Sequence, residues 1–253
     1  MNLPSAALAW AVLLLLLGGC AAQSTRDLPS DSPARLNVEL GKAYINEGDY
    51  SQALVKLERA LEQAPGYPPA LGAMAVLHQR LGEFDQAERR FREAIRLDPS
   101  DSVTRNNFGA FLCKRERYEE AEREFLAAVE NPLYGAPEHA YTNAGLCALR
   151  RPDLDSAEGH FRAALRHNPK FAPALLQMAR VSLEQEQYLQ SRAYLQRYDE
   201  VAPHNPVSLW LSVRTERKLG DRGAAASHAL LLKSRFPDAE ETRQLLKLEA
   251  DER

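Results

Sequence analysis

The sequence predicts an all-α solenoid of six helix-turn-helix repeats, closed by a C-terminal capping helix. Three observations carry this. Prolines recur at Pro65, Pro99, Pro132, Pro169, Pro203 and Pro237, with gaps of 34, 33, 37, 34 and 34 residues. With repeats starting at 34, 68, 102, 138, 172 and 206, position 8 reads Gly41, Ala75, Gly109, Gly145, Ala179, Val213, and position 20 reads Ala53, Ala87, Ala121, Ala157, Ser191, Ala225. Position 24 reads Leu57, Phe91, Phe125, Phe161, Leu195, Ala229. A 34-residue period with small residues at two columns and a large one at a third is the signature of the tetratricopeptide repeat, whose stacked units form a superhelical solenoid.

Each column has a physical cause. The two helices of a repeat cross closely, so positions 8 and 20 must be small. Position 24 is expected to be a knob filling the space between neighbouring repeats. The prolines end helix B before the next helix A begins. Gly48, Gly82 and Gly220 stand at position 15, in the turn after helix A, where a left-handed conformation is cheap for glycine. The repeats are thus 34–67, 68–101, 102–137, 138–171, 172–205 and 206–238, the sixth eroded by Val213 and Ala229. The third is lengthened near Leu133-Tyr134-Gly135-Ala136-Pro137. Residues 239–253 form the cap, with Leu245, Leu246 and Leu248 available to cover the apolar end of the stack.

The N-terminus is of another kind. Residues 1–25 carry no charged side chain, and 6–17 are an unbroken apolar run. That length fits the core of an export signal and is short for a membrane span. The run ends in Leu17-Gly18-Gly19-Cys20, which looks like a lipobox. Small residues let a peptidase reach the scissile bond, and the cysteine thiol takes the lipid as a thioether. The expectation is a signal peptide at 1–19, removed, and lipidation at Cys20. Ala21 after the cysteine points to the outer membrane. Residues 20–33 form a polar tether spanning ~40 Å when extended. Met1-Asn2-Leu3-Pro4-Ser5 lacks the usual cation, so the competing reading is an uncleaved helix with Cys20 incidental.

Composition and motifs exclude several functions. With 32 basic and 35 acidic residues the net charge is −3, so the chain is not built to grip nucleic acid. It has no H-E-x-x-H, G-x-S-x-G, P-loop or dinucleotide-binding loop. The six histidines fall at unrelated repeat positions, none paired at metal-ligand spacing with a third ligand nearby. The expectation is a non-enzyme with no cofactor, metal or small-molecule substrate.

Binding is what an open solenoid offers. Positions 2, 5, 9, 12 and 13 of helix A are expected on the concave face. Val38, Lys42, Ile45, Val76, Arg80, Asn106, Leu146, Trp210 and Arg214 are the candidate partner contacts there. A surface mixing aliphatic and basic groups suits a peptide or helix with apolar anchors and acidic groups. The competing reading has the aliphatics packed against neighbouring helices and the cations merely solvated. Trp210 is the best anchor candidate, unless it seals the last repeat against the cap.

Beyond Cys20, only Cys113 and Cys147 remain. They stand at positions 12 and 10 of helix A in adjacent repeats, whose axes lie ~9–10 Å apart. Disulfide reach is plausible at that spacing, and an oxidising compartment favours the bond. Two buried thiols filling core space are the alternative.

The segments N-N-F-G-A-F-L-C at 106–113 and N-A-G-L-C at 143–147 flank the repeat-3 extension. With S-L-W-L-S-V-R-T-E-R at 208–217, the F-P before the last helix and the lipobox, they resemble the PilF/PilW type IV pilus biogenesis lipoproteins. Asn106, Asn107, Cys113, Asn143 and Cys147 match that family's pattern. The resemblance implies a pilotin: an outer-membrane lipoprotein facing the periplasm, binding subunits of the pilus secretin so that they localise and multimerise there. A monomer suffices for that task. The uncharged N-terminus and eroded sixth repeat depart from the family. The alternative is a lipoprotein adaptor for peptidoglycan enzymes or for another secretion system.

Overall fold

The computed structural model describes residues 28–251 as thirteen α-helices, with no strand among the described residues. Cys20, the apolar run and most of the tether lie outside them. Helices pair as α1 (Pro33–Glu47) with α2 (Tyr50–Gln63), α3 (Pro68–Arg80) with α4 (Phe84–Leu97) and α5 (Ser102–Lys114) with α6 (Tyr118–Val129). Then come α7 (Pro137–Ala148) with α8 (Leu154–His167), α9 (Ala172–Glu184) with α10 (Tyr188–Asp199) and α11 (Pro206–Leu219) with α12 (Arg222–Arg235). The capping helix α13 spans Glu240–Asp251. This is the six-repeat tetratricopeptide solenoid with a terminal helix.

Local chemistry sets the helix starts. Proline occupies the first turn of α1, α3, α7, α9 and α11, where its missing N–H costs nothing. Asp101 caps α5: its carboxylate accepts from Thr104 N at 3.0 Å and from the Thr104 hydroxyl at 2.7 Å. Asp101→Ala should cost about 1 kcal/mol in urea denaturation, whereas Asp101→Asn should cost only a fraction of that. The turn at position 15 is left-handed at Gly48, Gly82 and Gly220, as expected. Glu116 (φ 63°) and Glu186 (φ 62°) adopt it too, so the repeat imposes this turn even without glycine.

The knobs reach the neighbouring repeat as expected, and they also press onto their own repeat. A Cβ on Gly41 would lie 2.7 Å from Leu57, one on Gly109 2.7 Å from Phe125, and one on Gly145 2.5 Å from Phe161. Position 24 therefore fills its own repeat, pressed onto the glycine of position 8. It also reaches onward, since Phe161 shares a core cluster with Leu175 and Met178 of the next helix A. The sixth repeat exchanges the two sizes: Val213 and Ala229 are both buried, in one cluster with Leu209, Leu232 and Leu245. What reads as erosion is a swap of large and small between two facing positions. Polar contacts tie repeat 5 to repeat 6: Ser191 donates to Ala179 O and meets the Thr215 hydroxyl at 2.9 Å, and Arg192 grips the buried Glu216.

Cys113 and Cys147 form a disulfide, Cα–Cα 5.8 Å apart, between the neighbouring helices α5 and α7. Both are buried in the cluster of Phe91, Phe108 and Phe111. In α13, Leu245 is fully buried against repeat 6, but Leu246 is 51% exposed and lies outside that core cluster. On a helix, residues one apart point in different directions, so Leu245 and Leu246 cannot share one face.

Candidate functional site

The concave side carries a groove of about 710 Å³ over α1, α3 and α5. Of the sequence-predicted contacts, the structure brings Lys42, Ile45, Val76 and Arg80 together here. Lys42 bonds Glu39 at 2.9 Å, and Arg80 is exposed with no carboxylate partner among the described residues. Val103 adds an exposed aliphatic surface on α5.

Two assignments need correction. Val38 is 1% exposed and belongs to the first core cluster, so it offers nothing to a partner. Ile45 is 6% exposed and contributes an edge rather than an anchor. The cause is visible at the equivalent of Val38 in repeat 2. Gly72 faces Thr104 of the next helix A so closely that a Cβ could not be added without a shift. Position 5 thus points into the joint between neighbouring A helices. Asn106, at position 5 of repeat 3, accepts a hydrogen bond from Asn143 Nδ2 at 3.0 Å across the same joint. Leu146 is partly exposed on α7 and lines neither groove described here.

Sequence reasoning missed one wall of the groove. The lengthened loop after α6 brings Asn131, Leu133, Tyr134 and Gly135 to its rim. Asn131 fixes this loop, its Nδ2 donating to Ser100 O at 2.9 Å and its Oδ1 accepting from Leu133 N at 2.9 Å. Leu133 is left 89% exposed beside the groove. Burial, then the charges of Glu138 and Asp101, raise the Tyr134 hydroxyl above the usual tyrosine range. Asp98 and Asp101 also line the groove, but both are engaged in local bonds, to Ser100 and Thr104. The signal for this wall was the two-residue insertion, which marked a longer loop without giving its direction.

Trp210 and Arg214 line a separate groove at the other end, between α9, α11 and α13. Trp210 packs against the cluster under the cap, as the sealing reading expects, and it also lines this groove. Arg214 bonds Glu184 at 3.0 Å. Among the described residues no group of three His, Cys, Asp or Glu side chains is placed to hold a metal ion, and no helix is long and apolar enough to cross a membrane.

Known proteins share this fold. The family described as Tetratricopeptide repeat matches residues 44–102, and the one described as Cilia and flagella-associated protein 70 middle TPR-like domain matches 135–214. The type IV pilus assembly protein PilF of Pseudomonas aeruginosa is 31% identical over 233 residues, covering 89% of this chain and 92% of PilF. The solved structure of P. aeruginosa PilF superposes with a TM-score of 0.76 over 85% of this chain and 97% of that one, at 31% identity. The crystal structure of PilW, a widely conserved type IV pilus biogenesis factor, gives 0.74 over 84% and 98%, at 29% identity.

Proposed function

This chain belongs to the PilF/PilW family of tetratricopeptide-repeat proteins of type IV pilus biogenesis, and from that premise we propose that it is a pilotin. It binds secretin subunits in the periplasm, carries them to the outer membrane on a lipid attached at Cys20, and promotes their assembly into the multimeric pore. The observation that supports this reading is the groove over repeats 1–3. It is concave, rimmed by Val76, Val103 and Leu133, with Arg80 free to meet an acidic group. Such a surface suits a segment with aliphatic anchors. Position agrees: Cys20 precedes the first helix by thirteen residues. A lipid there would hold the groove within ~40 Å of the bilayer. The action is binding and positioning, and a monomer suffices.

A strain lacking the gene, and one carrying Cys20→Ser, test this together. Deletion should abolish secretin multimers on non-denaturing gels, with loss of surface pili. Cys20→Ser should leave a folded protein that no longer fractionates with membranes, and secretin subunits should stay unassembled or misplaced. Wild-type multimer levels in the deletion strain would sink the reading; unchanged fractionation of Cys20→Ser would sink the anchor alone.

A further inference from the structure

The C-terminal groove differs in kind from the N-terminal one, and the two share no residue. It encloses about 740 Å³ between α9, α11 and α13. Its apolar lining is Trp210, half-buried against the cap cluster, with Tyr188, Leu183 and Leu248. Four cationic side chains line it against three carboxylates. One of those carboxylates, Glu184, is already bonded to Arg214. Lys218 lies over the Tyr188 ring at 6.0 Å, and neither it nor Lys247 has a carboxylate partner among the described residues. By contrast the N-terminal groove sets two cations against two carboxylates that are both engaged in local bonds. The lining thus carries one more cation than carboxylate, on a chain of net charge −3.

We propose that this groove is a second protein-docking site, which takes an acidic peptide segment carrying one aromatic or large aliphatic anchor. Trp210 supplies the face for the anchor. Arg214 and Lys218 stand one helical turn apart on α11, and Lys247 projects from α13, so the cations form a strip beside that face rather than a point. A ligand carboxylate can displace Glu184 from Arg214 at little cost, because both side chains are solvent-exposed and exposed ion pairs contribute little. The anchor sets affinity, and the cations set the sign of the ligand and its salt dependence. The cap helix is therefore a working wall of the site as well as a lid. This inference does not depend on the pilotin reading, which concerns the other groove.

The test uses the full-length protein and a fluorescein-labelled peptide with one Trp between two short Glu/Asp runs, followed by anisotropy at low salt. Saturable binding is expected, weakening about tenfold on going to physiological salt. Lys218→Glu with Lys247→Glu should weaken it by about tenfold or more, and Trp210→Ala likewise. Arg80→Glu, in the other groove, should leave it unchanged. Both lysines are exposed, so the double variant keeps its fold, checked by its melting curve, even if Trp210→Ala does not. The proposal is overturned by wild-type binding in the double variant, by equal binding of the Gln/Asn analogue, or by no saturation up to ~1 mM peptide. Lysine-dependent binding to phosphatidylglycerol vesicles without peptide binding would assign the groove to a lipid surface and overturn it too.

Discussion

Phe161→Ala is expected to lower the unfolding free energy by about 4 kcal/mol, a large part of what a domain of this size has to spare. Phe161 is 0% exposed, and its ring rests on the backbone at Gly145. Truncation removes buried ring surface and leaves a hole whose floor is main chain. The main chain belongs to α7, which is held by the disulfide at Cys147 two residues on, so the hole cannot close by collapse. The partner change, Gly145→Ala, should cost about 1–3 kcal/mol by overpacking against the same ring. Made together, the two should be strongly non-additive, because the new methyl group enters the space the ring has left. Urea denaturation of the four proteins reads this directly. A Phe161→Ala cost under ~1.5 kcal/mol, or additive changes, would mean that the ring and the glycine are not a unit.

Breaking the Cys113–Cys147 bond should cost nearly as much. The bond closes a loop across a sequence separation of 34 residues, for which loss of unfolded-chain entropy predicts about 3–4 kcal/mol. The site adds a second effect. In an array whose units touch only their neighbours, stability is a sum of local terms and joint terms. The disulfide ties the joint between repeats 3 and 4, so Cys113→Ala with Cys147→Ala should broaden the urea transition as well as shift it. Reduction of the native protein should reproduce the shift, and alkylation mass spectrometry on unreduced protein should find no free thiol at either position. Two alkylated thiols, or an unchanged midpoint, would refute this prediction.

The fold was legible because its columns are set by contacts inside one repeat. Gly145 must be small because Phe161 lies on it, and the same small-against-large pairing recurs in five of the six repeats, every 34 residues or so. The partner surface was less so. Val38 and Lys42 are both helix A residues of mixed environment, and periodicity cannot tell that position 5 points into the joint while position 9 faces the groove. Leu133 and Tyr134 escaped because a loop obeys no period. The sixth repeat looked eroded because Val213 and Ala229 each break a column, and only their mutual contact shows the exchange. Leu246 shows the opposite error, an apolar residue counted as cover though it points away from the stack.

Every contact between helices joins elements no more than two apart along the chain. Such a topology needs no distant loop to close before contacts are rewarded, so it belongs to the rapidly folding class. A chain made N-terminus first could therefore settle one unit upon another in the order of synthesis, each new helix A finding its seat already built. The exception is the last surface. Leu209, Val213 and Leu232 stay open until α13 arrives with Leu245. The final twelve-residue helix thus sets when the molecule stops being adhesive, and a chain truncated before it would keep a growing end.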